Sequence, residues 1–208
     1  MREFLNKHRA TFVNLFLAAT LGYGALYRAY HAWLAPNFDF VEAVFFGHNL
    51  VLVAVILVRK RHQAINQNVF HQGVALVAFF SGFCFDTRPA AASVLLSRLS
   101  VGVTVAALVL GTITLFNLGR SFGILISMRR IETRGLYAVV RHPMYLTDIL
   151  WRTGLILGNL SAYNVALFAA STAAYVYRAV LEERFLRQFP DYAEYMRRVK
   201  YRFVPGVF

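Results

Sequence analysis

The sequence predicts an all-α, polytopic integral membrane protein, a helical bundle of about six spans. Three observations support this fold class. Apolar residues make up 58% of the 208 positions, against roughly 45–50% in soluble domains. They are gathered into six long segments, and the positively charged residues lie between alternate segments. We expect one membrane domain over residues 1–208, because no low-complexity stretch or linker divides it.

A transmembrane helix needs roughly 20 predominantly apolar residues. The candidate spans are residues 11–34, 41–58, 69–85, 92–117, 145–160 and 162–180. The first is too long for a cleavable signal and lacks a small-residue cleavage site. The fifth is the weakest, being short and containing Asp148 and Arg152. Since only residues 158–161 separate it from the sixth, we predict a tight helical hairpin.

Asp148 and Arg152 have the spacing of an intrahelical ion pair, which we expect them to form. The alternative is that both side chains line a transport path.

The charge distribution predicts the orientation. Eighteen of the 22 Lys and Arg residues lie before the first span, between spans 2 and 3, between spans 4 and 5, or at and after the end of span 6. By the positive-inside rule, both termini and the loop at residues 118–143 face the cytoplasm. The net charge of +12 is therefore an orientation signal and a contact surface for anionic lipid. We predict no nucleic-acid partner and no protein partner.

Cysteine and histidine usage argues against an internal disulfide and against a metal site. The single cysteine, Cys84, leaves no disulfide within the chain. The six histidines are scattered without metal-ligand spacing, so no metal site is predicted.

Four groups of polar residues share the predicted cytoplasmic side. Residues 117–123 place two glycines around Arg120 and Ser121, which suits either backbone ligand binding or a helix C-terminus with a glycine stop. Residues 135–146 contain Tyr137, Arg141, His142 and Tyr145. His142 could contact a cofactor, Arg141 could bind a carboxylate or phosphate, and the tyrosines offer aromatic faces. The alternative is that Arg141 and His142 are interfacial anchors.

The other two groups lie at and beyond the end of the sixth span. Glu182 and Glu183 are adjacent on a helix, about 100° apart, so at most one faces the interior easily. The other can pair with Arg178, Arg184 or Arg187. Beyond them, residues 181–199 show helical periodicity interrupted at Pro190. We expect this tail to form a short helix on the core or on lipid headgroups, with the surface position favoured.

The order of these four groups along the chain resembles that in the isoprenylcysteine carboxyl methyltransferase family and in the small phospholipid N-methyltransferases. The resemblance covers residues 117–205. The motifs are Leu118-Gly119-Arg120-Ser121, Gly135-x-Tyr137, Arg141-His142-Pro143-x-Tyr145, a helical hairpin, Glu182-Glu183-x-x-Leu186, Tyr192-x-x-Tyr195, a basic run and Pro205. Residues 1–116 carry no comparable motif, and we interpret them as transmembrane scaffold, with residues 117–208 as the catalytic region.

The resemblance implies S-adenosylmethionine as methyl donor in a cytoplasmic pocket, and a lipidic or small acceptor that enters from the bilayer. The implied cofactor-binding residues are Gly135, Leu136, Tyr137, His142, Pro143, Tyr145 and Leu146. The implied catalytic residues are Arg141, Glu182, Glu183 and Arg187. The chain departs from the family pattern at Thr147, where a glycine is usual, and Asp148 follows it.

Two other functions remain open. Sterol reductases, which use a nicotinamide cofactor, are similar in the C-terminal region but longer. A non-enzymatic scaffold or transport protein with the same fold is the third possibility. A carboxylate, an amine and a thiol are all compatible as the methyl acceptor.

The charge split generates a topology prediction. Reporter fusions after Arg61 and after Phe208 should both report the cytoplasm, and a fusion after Arg88 should report the opposite side. An external C-terminus, or five crossing helices, would contradict the six-span arrangement.

Overall fold

The computed structural model describes residues 2–34, 40–88 and 93–207, with the backbone alone for residues 2–14, 28, 32 and 33. The described chain is mainly helical, which confirms the predicted fold class. The helices are α1 (Arg2–Leu34), α2 (Phe40–Val58), α3 (Val69–Phe80), α4 (Val94–Leu118), α5 (Pro143–Gly158), α6 (Ala162–Leu186) and α7 (Pro190–Arg198). Short 3-10 turns cover Ser81–Cys84, Gly119–Ser121 and Gly135–Ala138, and two-residue strands β1 (Ala64–Ile65) and β2 (Ser127–Met128) pair antiparallel.

Helices α1 to α6 coincide with the six apolar segments of the sequence. Within the described residues, three helical segments are long and apolar enough to cross a membrane: Phe40–Val58, Val94–Ser121 and Ala162–Leu186. The apolar segment Val69–Cys84 is shorter. The count of six spans therefore stays a prediction. The connection at residues 35–39 and most of the connection after Arg88 lie outside the described part.

Local side-chain chemistry sets the helix boundaries. Ser93 caps α4 by accepting a hydrogen bond from Leu96 N (3.3 Å), and Ser161 caps α6 by accepting one from Asn164 N (3.2 Å). Such caps satisfy N–H groups that have no partner in the first turn. Proline begins both α5 and α7, at the position where its missing N–H costs nothing. Gly119 ends α4 with a φ of 48°, so the glycine-stop interpretation is confirmed.

The connection between α5 and α6 is the short turn predicted from residues 158–161. Two buried asparagines fasten it to the loop after α3. Asn164 Nδ2 donates to the carbonyls of Asp86 (2.9 Å) and Asn159 (3.0 Å), while Asn159 Nδ2 donates to the Arg88 carbonyl (3.0 Å). These bonds satisfy loop carbonyls that would otherwise be buried without donors.

Helices α4 and α5 approach closely at small residues. Ser100 Oγ donates to the Gly154 carbonyl across the interface (2.7 Å). A Cβ added at Gly154 would lie 2.9 Å from Thr104 N, which is backbone and cannot move aside. Small residues at membrane helix contacts allow this approach, because packing drives association there.

The expected ion pair between Asp148 and Arg152 is wrong. The buried Arg152 guanidinium donates instead to main-chain carbonyls, those of Asp148 (Nη1, 2.9 Å) and Ala78 (Nη2, 3.1 Å). It also lies 4.9 Å from the centre of the Tyr175 ring. The reason is the change from α-helix to 3-10 turn at Ser81, which leaves carbonyls near the end of α3 in need of donors.

The basic loops form one layer at a single end of the bundle. Gln72 Oε1 accepts from Ile126 N (2.9 Å), and Gln72 Nε2 donates to the Ile126 carbonyl (3.0 Å). The pairing of β1 with β2 joins the loop after α2 to the loop after α4. The first loop, part of the predicted scaffold, therefore supports the C-terminal half.

The C-terminal tail packs on the protein. Tyr192 and Tyr195 of α7 are buried, while Arg197 and Arg198 are exposed. Beyond α7 the chain runs beside residues 140–142, where Arg141 N donates to the Tyr201 carbonyl and His142 N to the Arg202 carbonyl, each at 2.9 Å. The favoured position on lipid headgroups is thus wrong for the tyrosine face of α7, which contacts the core.

The Gly154 contact generates a stability prediction. We expect Gly154→Ala to separate α4 from α5 and to cost about 1–3 kcal/mol, the usual range for overpacking. The measurement is the midpoint of thermal unfolding in detergent. Gly102→Ala is the matched control on α4, because no atom lies within 4 Å of a Cβ there. Equal midpoints for the two variants would contradict the close approach.

Candidate active site

A cavity opens at the end of the bundle where α4 ends and α5 begins. Its volume is about 1030 Å³ with the open mouth included. Residues of helices α2 to α7 and of the loop after α4 line it. Of the residues predicted from sequence, it brings together Tyr137, Arg141, His142, Tyr145 and Glu182.

Glu182 is the glutamate that faces this cavity. Its carboxylate accepts a hydrogen bond from the Tyr145 hydroxyl. The Tyr145 ring stacks on His142, with centroids 5.1 Å apart and planes 11° apart. The Arg178 guanidinium lies 4.7 Å from the centre of the Tyr145 ring. Carboxylate, aromatic face and cation thus share one wall of the cavity.

Glu183 points away from the cavity and is 1% exposed. Its Oε1 accepts hydrogen bonds from Arg141 Nε (2.7 Å) and His142 Nε2 (3.1 Å), and its Oε2 accepts from Arg202 Nε (2.9 Å). Because an ionised carboxylate only accepts, His142 Nε2 carries the proton in this contact. We call Glu183, Arg141, His142 and Arg202 the carboxylate anchor.

Arg141 extends this anchor to the backbone of the tail. Its Nη1 donates to the carbonyls of Val199 (2.9 Å) and Lys200 (2.7 Å). The Tyr195 hydroxyl donates to the Tyr137 carbonyl (2.8 Å) and joins α7 to the same segment. The side chain of Arg141 is therefore held by the protein, although it contributes to the cavity wall.

The other predicted site residues lie around the cavity, outside its wall. Gly135 has a φ of 59°, and a Cβ there would meet the Asn117 side chain. It thereby turns the chain tightly against the end of α4. Pro143 is buried as the first residue of α5, and Leu136 and Leu146 are partly buried. Arg187 is exposed at the end of α6, and the structure does not bring it to the cavity.

Several lining residues were missed from sequence. Arg178 lines the cavity, and its Nε is buried without a hydrogen-bond partner among the described residues. Asp148 lines it too. The sequence carried a signal for Asp148, because it follows Thr147, where the chain departs from the family pattern. His48 on α2 gave no signal, because nothing in the first half of the chain marked it.

The cavity carries charges of both signs. Burial, with a smaller effect of the Arg59 charge, lowers the pKa of Arg129 to about 10, so this lining side chain is still protonated at neutral pH. Burial raises the pKa of the Tyr137 and Tyr195 hydroxyls, which keeps both neutral. The part of the chain that the structure describes contains no group of three His, Cys, Asp or Glu residues able to hold a metal.

A second cavity lies deeper, among α2, α3, α4 and α5. Mostly apolar side chains line it, among them Phe45, Leu108 and Trp151. It shares lining residues with the first cavity, namely His48, Leu52, Phe79 and Asp148. The two cavities therefore meet at these four side chains.

Comparison with known proteins agrees with this arrangement. The profile of the phospholipid methyltransferase family matches residues 89–191. Protein-S-isoprenylcysteine O-methyltransferase B of Arabidopsis thaliana is 35% identical over an alignment of 89 residues, and the match covers 39% of this chain and 45% of that protein. The chain thus matches less than half the length of this relative.

The fold has a solved counterpart. The eukaryotic intramembrane Ras methyltransferase ICMT (isoprenylcysteine carboxyl methyltransferase) superposes with a TM-score of 0.53 at 21% identity, over 99% of this chain and 86% of that one. This likeness shows that the two proteins share the fold of a polytopic helical membrane protein. In sequence, residues 89–191 are similar to the phospholipid methyltransferase family, and part of the chain is similar to an isoprenylcysteine O-methyltransferase.

The carboxylate anchor generates a prediction. Glu183→Gln should lower the free energy of unfolding by about 3 kcal/mol, because breaking one partner of a buried ion pair strands the others. We would measure thermal unfolding in detergent and the rate at which protease releases the tail.

Glu194→Gln is the matched control, since Glu194 is exposed and pairs with the exposed Arg198. A Glu183→Gln protein that unfolds at the parent's temperature and resists protease equally would refute the anchor.

Proposed function

We propose that this protein transfers a methyl group from S-adenosylmethionine to a lipidic or small membrane-partitioning acceptor, at the cytoplasmic face of the membrane. One observation carries the proposal. The family motif residues Tyr137, His142 and Tyr145 converge with Glu182 and Arg178 on one cavity. A second, apolar cavity meets it from within the bundle.

The chemistry of the lining fits the methyl donor. Arg178 Nε is a buried donor without a described partner, and the carboxylate of the donor's amino acid portion would satisfy it. Glu182 is suited to the donor's amino group. The Tyr192 ring, which also lines the cavity, is suited to a sulfonium cation, which aromatic rings attract. When bound, S-adenosylmethionine supplies an electrophilic methyl group.

The residues of this chain contribute alignment and exclusion of water. Methyl transfer is an in-line displacement, so its rate depends on holding nucleophile and methyl group in contact. Stacking fixes His142 and Tyr145 relative to each other, and the carboxylate anchor fixes the backbone beneath them. These contacts give the cavity wall a defined shape before ligands bind.

The reductase alternative rests on Arg129 and Arg130, which line the cavity and could pair with a nucleotide phosphate. The transport alternative is weakened, because the Arg152 guanidinium is held by backbone carbonyls. Of these three functions, methyl transfer gives a role to the largest number of the lining residues described above.

The proposal is tested by ligand binding to purified protein. S-adenosylhomocysteine, and not NADPH, should raise the thermal unfolding temperature. His142→Ala and Glu182→Gln should each weaken S-adenosylhomocysteine binding by about 1–3 kcal/mol, the range for an unpaired buried polar partner. Arg197→Ala, exposed on α7, is the control and should bind like the parent.

Gel filtration would establish that each variant is folded. Stabilisation by NADPH alone would favour a reductase. Folded His142→Ala and Glu182→Gln proteins that bind with parental affinity would reject the pocket assignment.

A further inference from the structure

Two of the helices that can cross a membrane end side by side among basic residues. Helices α2 and α4 are both long and apolar enough to span, and they pack against each other. Lys60 lies just beyond α2, and Arg120 lies just beyond α4. Arg120 Nε donates to the Val58 carbonyl (3.0 Å), and Lys60 N donates to the Arg120 carbonyl (2.8 Å). These two cations therefore lie together where the apolar segments end, at the level of lipid head groups.

The short strand β2 brings a third cation to the same place. Arg129 follows β2, and its Nε donates to the Lys60 carbonyl (3.2 Å). Burial lowers the pKa of the His62 imidazole, and the nearby charges of Arg129 and Arg59 lower it further. Like charges thus act on one point of the surface. We call Lys60, Arg120 and Arg129 the basic cluster.

The basic cluster has charge and donors to offer a ligand. Within residues 2–34, 40–88 and 93–207, no carboxylate forms an ion pair with any of its three side chains. Lys60 and Arg120 are exposed. Of their side-chain nitrogens, Arg120 Nε alone has an acceptor in the described chain. A phosphate group accepts hydrogen bonds from several ammonium and guanidinium donors at once.

Exposed apolar side chains adjoin the basic cluster on both helices. Leu57 and Val58 are 51% and 54% exposed in the last turn of α2, and Ile113 and Phe116 are 47% and 68% exposed near the end of α4. A free phosphate ion would gain nothing from these side chains. A molecule with an anionic head and apolar chains would match both features, because each part meets surroundings of its own polarity.

We propose that the basic cluster binds the head group of an anionic phospholipid, whose acyl chains lie along the exposed ends of α2 and α4. The lipid phosphate accepts hydrogen bonds from Lys60 and Arg120, and Arg129 adds positive charge. A zwitterionic phospholipid is disfavoured, because its own ammonium group would meet the same cations. Arg129 also lines the first cavity, so the bound lipid lies beside the mouth of that cavity.

Thermal unfolding in a nonionic detergent tests this assignment, because a ligand of the folded protein raises the unfolding temperature with its concentration. The probes are dioctanoyl phosphatidylglycerol, dioctanoyl phosphatidylcholine and inorganic phosphate. The phosphatidylglycerol should bind at least about tenfold more tightly than either of the others. Equal binding of the phosphatidylcholine would show that apolar contact suffices, and equal binding of inorganic phosphate would show a site for a soluble anion. Either result would overturn the proposal.

Paired variants separate a defined site from a diffuse attraction. Lys60→Gln combined with Arg120→Gln should weaken phosphatidylglycerol binding by at least about tenfold. Arg197→Gln combined with Arg198→Gln removes two exposed charges from α7, which packs beside Met128 of β2, and should bind like the parent. Equal weakening in both proteins, or parental affinity in the first, would reject the basic cluster as the site.

The single variant Lys60→Gln keeps the test decisive if the first double variant does not fold. The Lys60 side chain makes no hydrogen bond in the described part of the chain, so its replacement should leave the fold intact, as gel filtration would establish. It should bind phosphatidylglycerol about fivefold more weakly. Parental affinity in this folded variant would contradict the assignment. These measurements report lipid binding alone, so their outcome does not depend on whether the protein transfers methyl groups.

Discussion

The motif-bearing end of this protein depends on one buried carboxylate. Glu183 lies at the end of α6 and accepts hydrogen bonds from Arg141, His142 and Arg202. Glu183 and its donors come from three separate segments of the chain. A carboxylate that is 1% exposed requires such donors, and the donors in turn need its charge. This mutual requirement holds the loop before α5, the sixth helix and the tail in one arrangement.

The neighbouring glutamate, Glu182, lines the cavity. Adjacent helical side chains point in different directions, so Glu182 is turned toward Tyr145 while Glu183 is turned toward the tail. The stack of His142 on Tyr145 joins the two environments, because His142 belongs to the anchor and Tyr145 to the cavity wall. A rigid support beneath a ligand-binding wall reduces the ordering cost of binding.

Polarity changes along the path between the two cavities. Near the basic loops the wall carries Arg129 and Glu182, whereas the deeper cavity is formed mainly by aromatic and aliphatic side chains. An amphipathic molecule from the bilayer matches this gradient, since each part would lie in surroundings of its own polarity. The buried Arg152, which we expected from sequence to pair with the Asp148 carboxylate, instead satisfies carbonyls at the end of α3.

The sequence by itself determined the helical membrane class, the positions of α1 to α6 and the α5–α6 turn, and it indicated the likeness to methyltransferases, because hydrophobic length and ordered motifs are local properties of the chain. It also indicated Tyr137, His142 and Tyr145 as neighbours on one short segment. Only the tertiary structure decided which glutamate faces the cavity, that Arg187 stays outside it, and that His48 joins from α2. Those outcomes depend on helix rotation and on contacts between residues far apart in sequence, which no local pattern encodes.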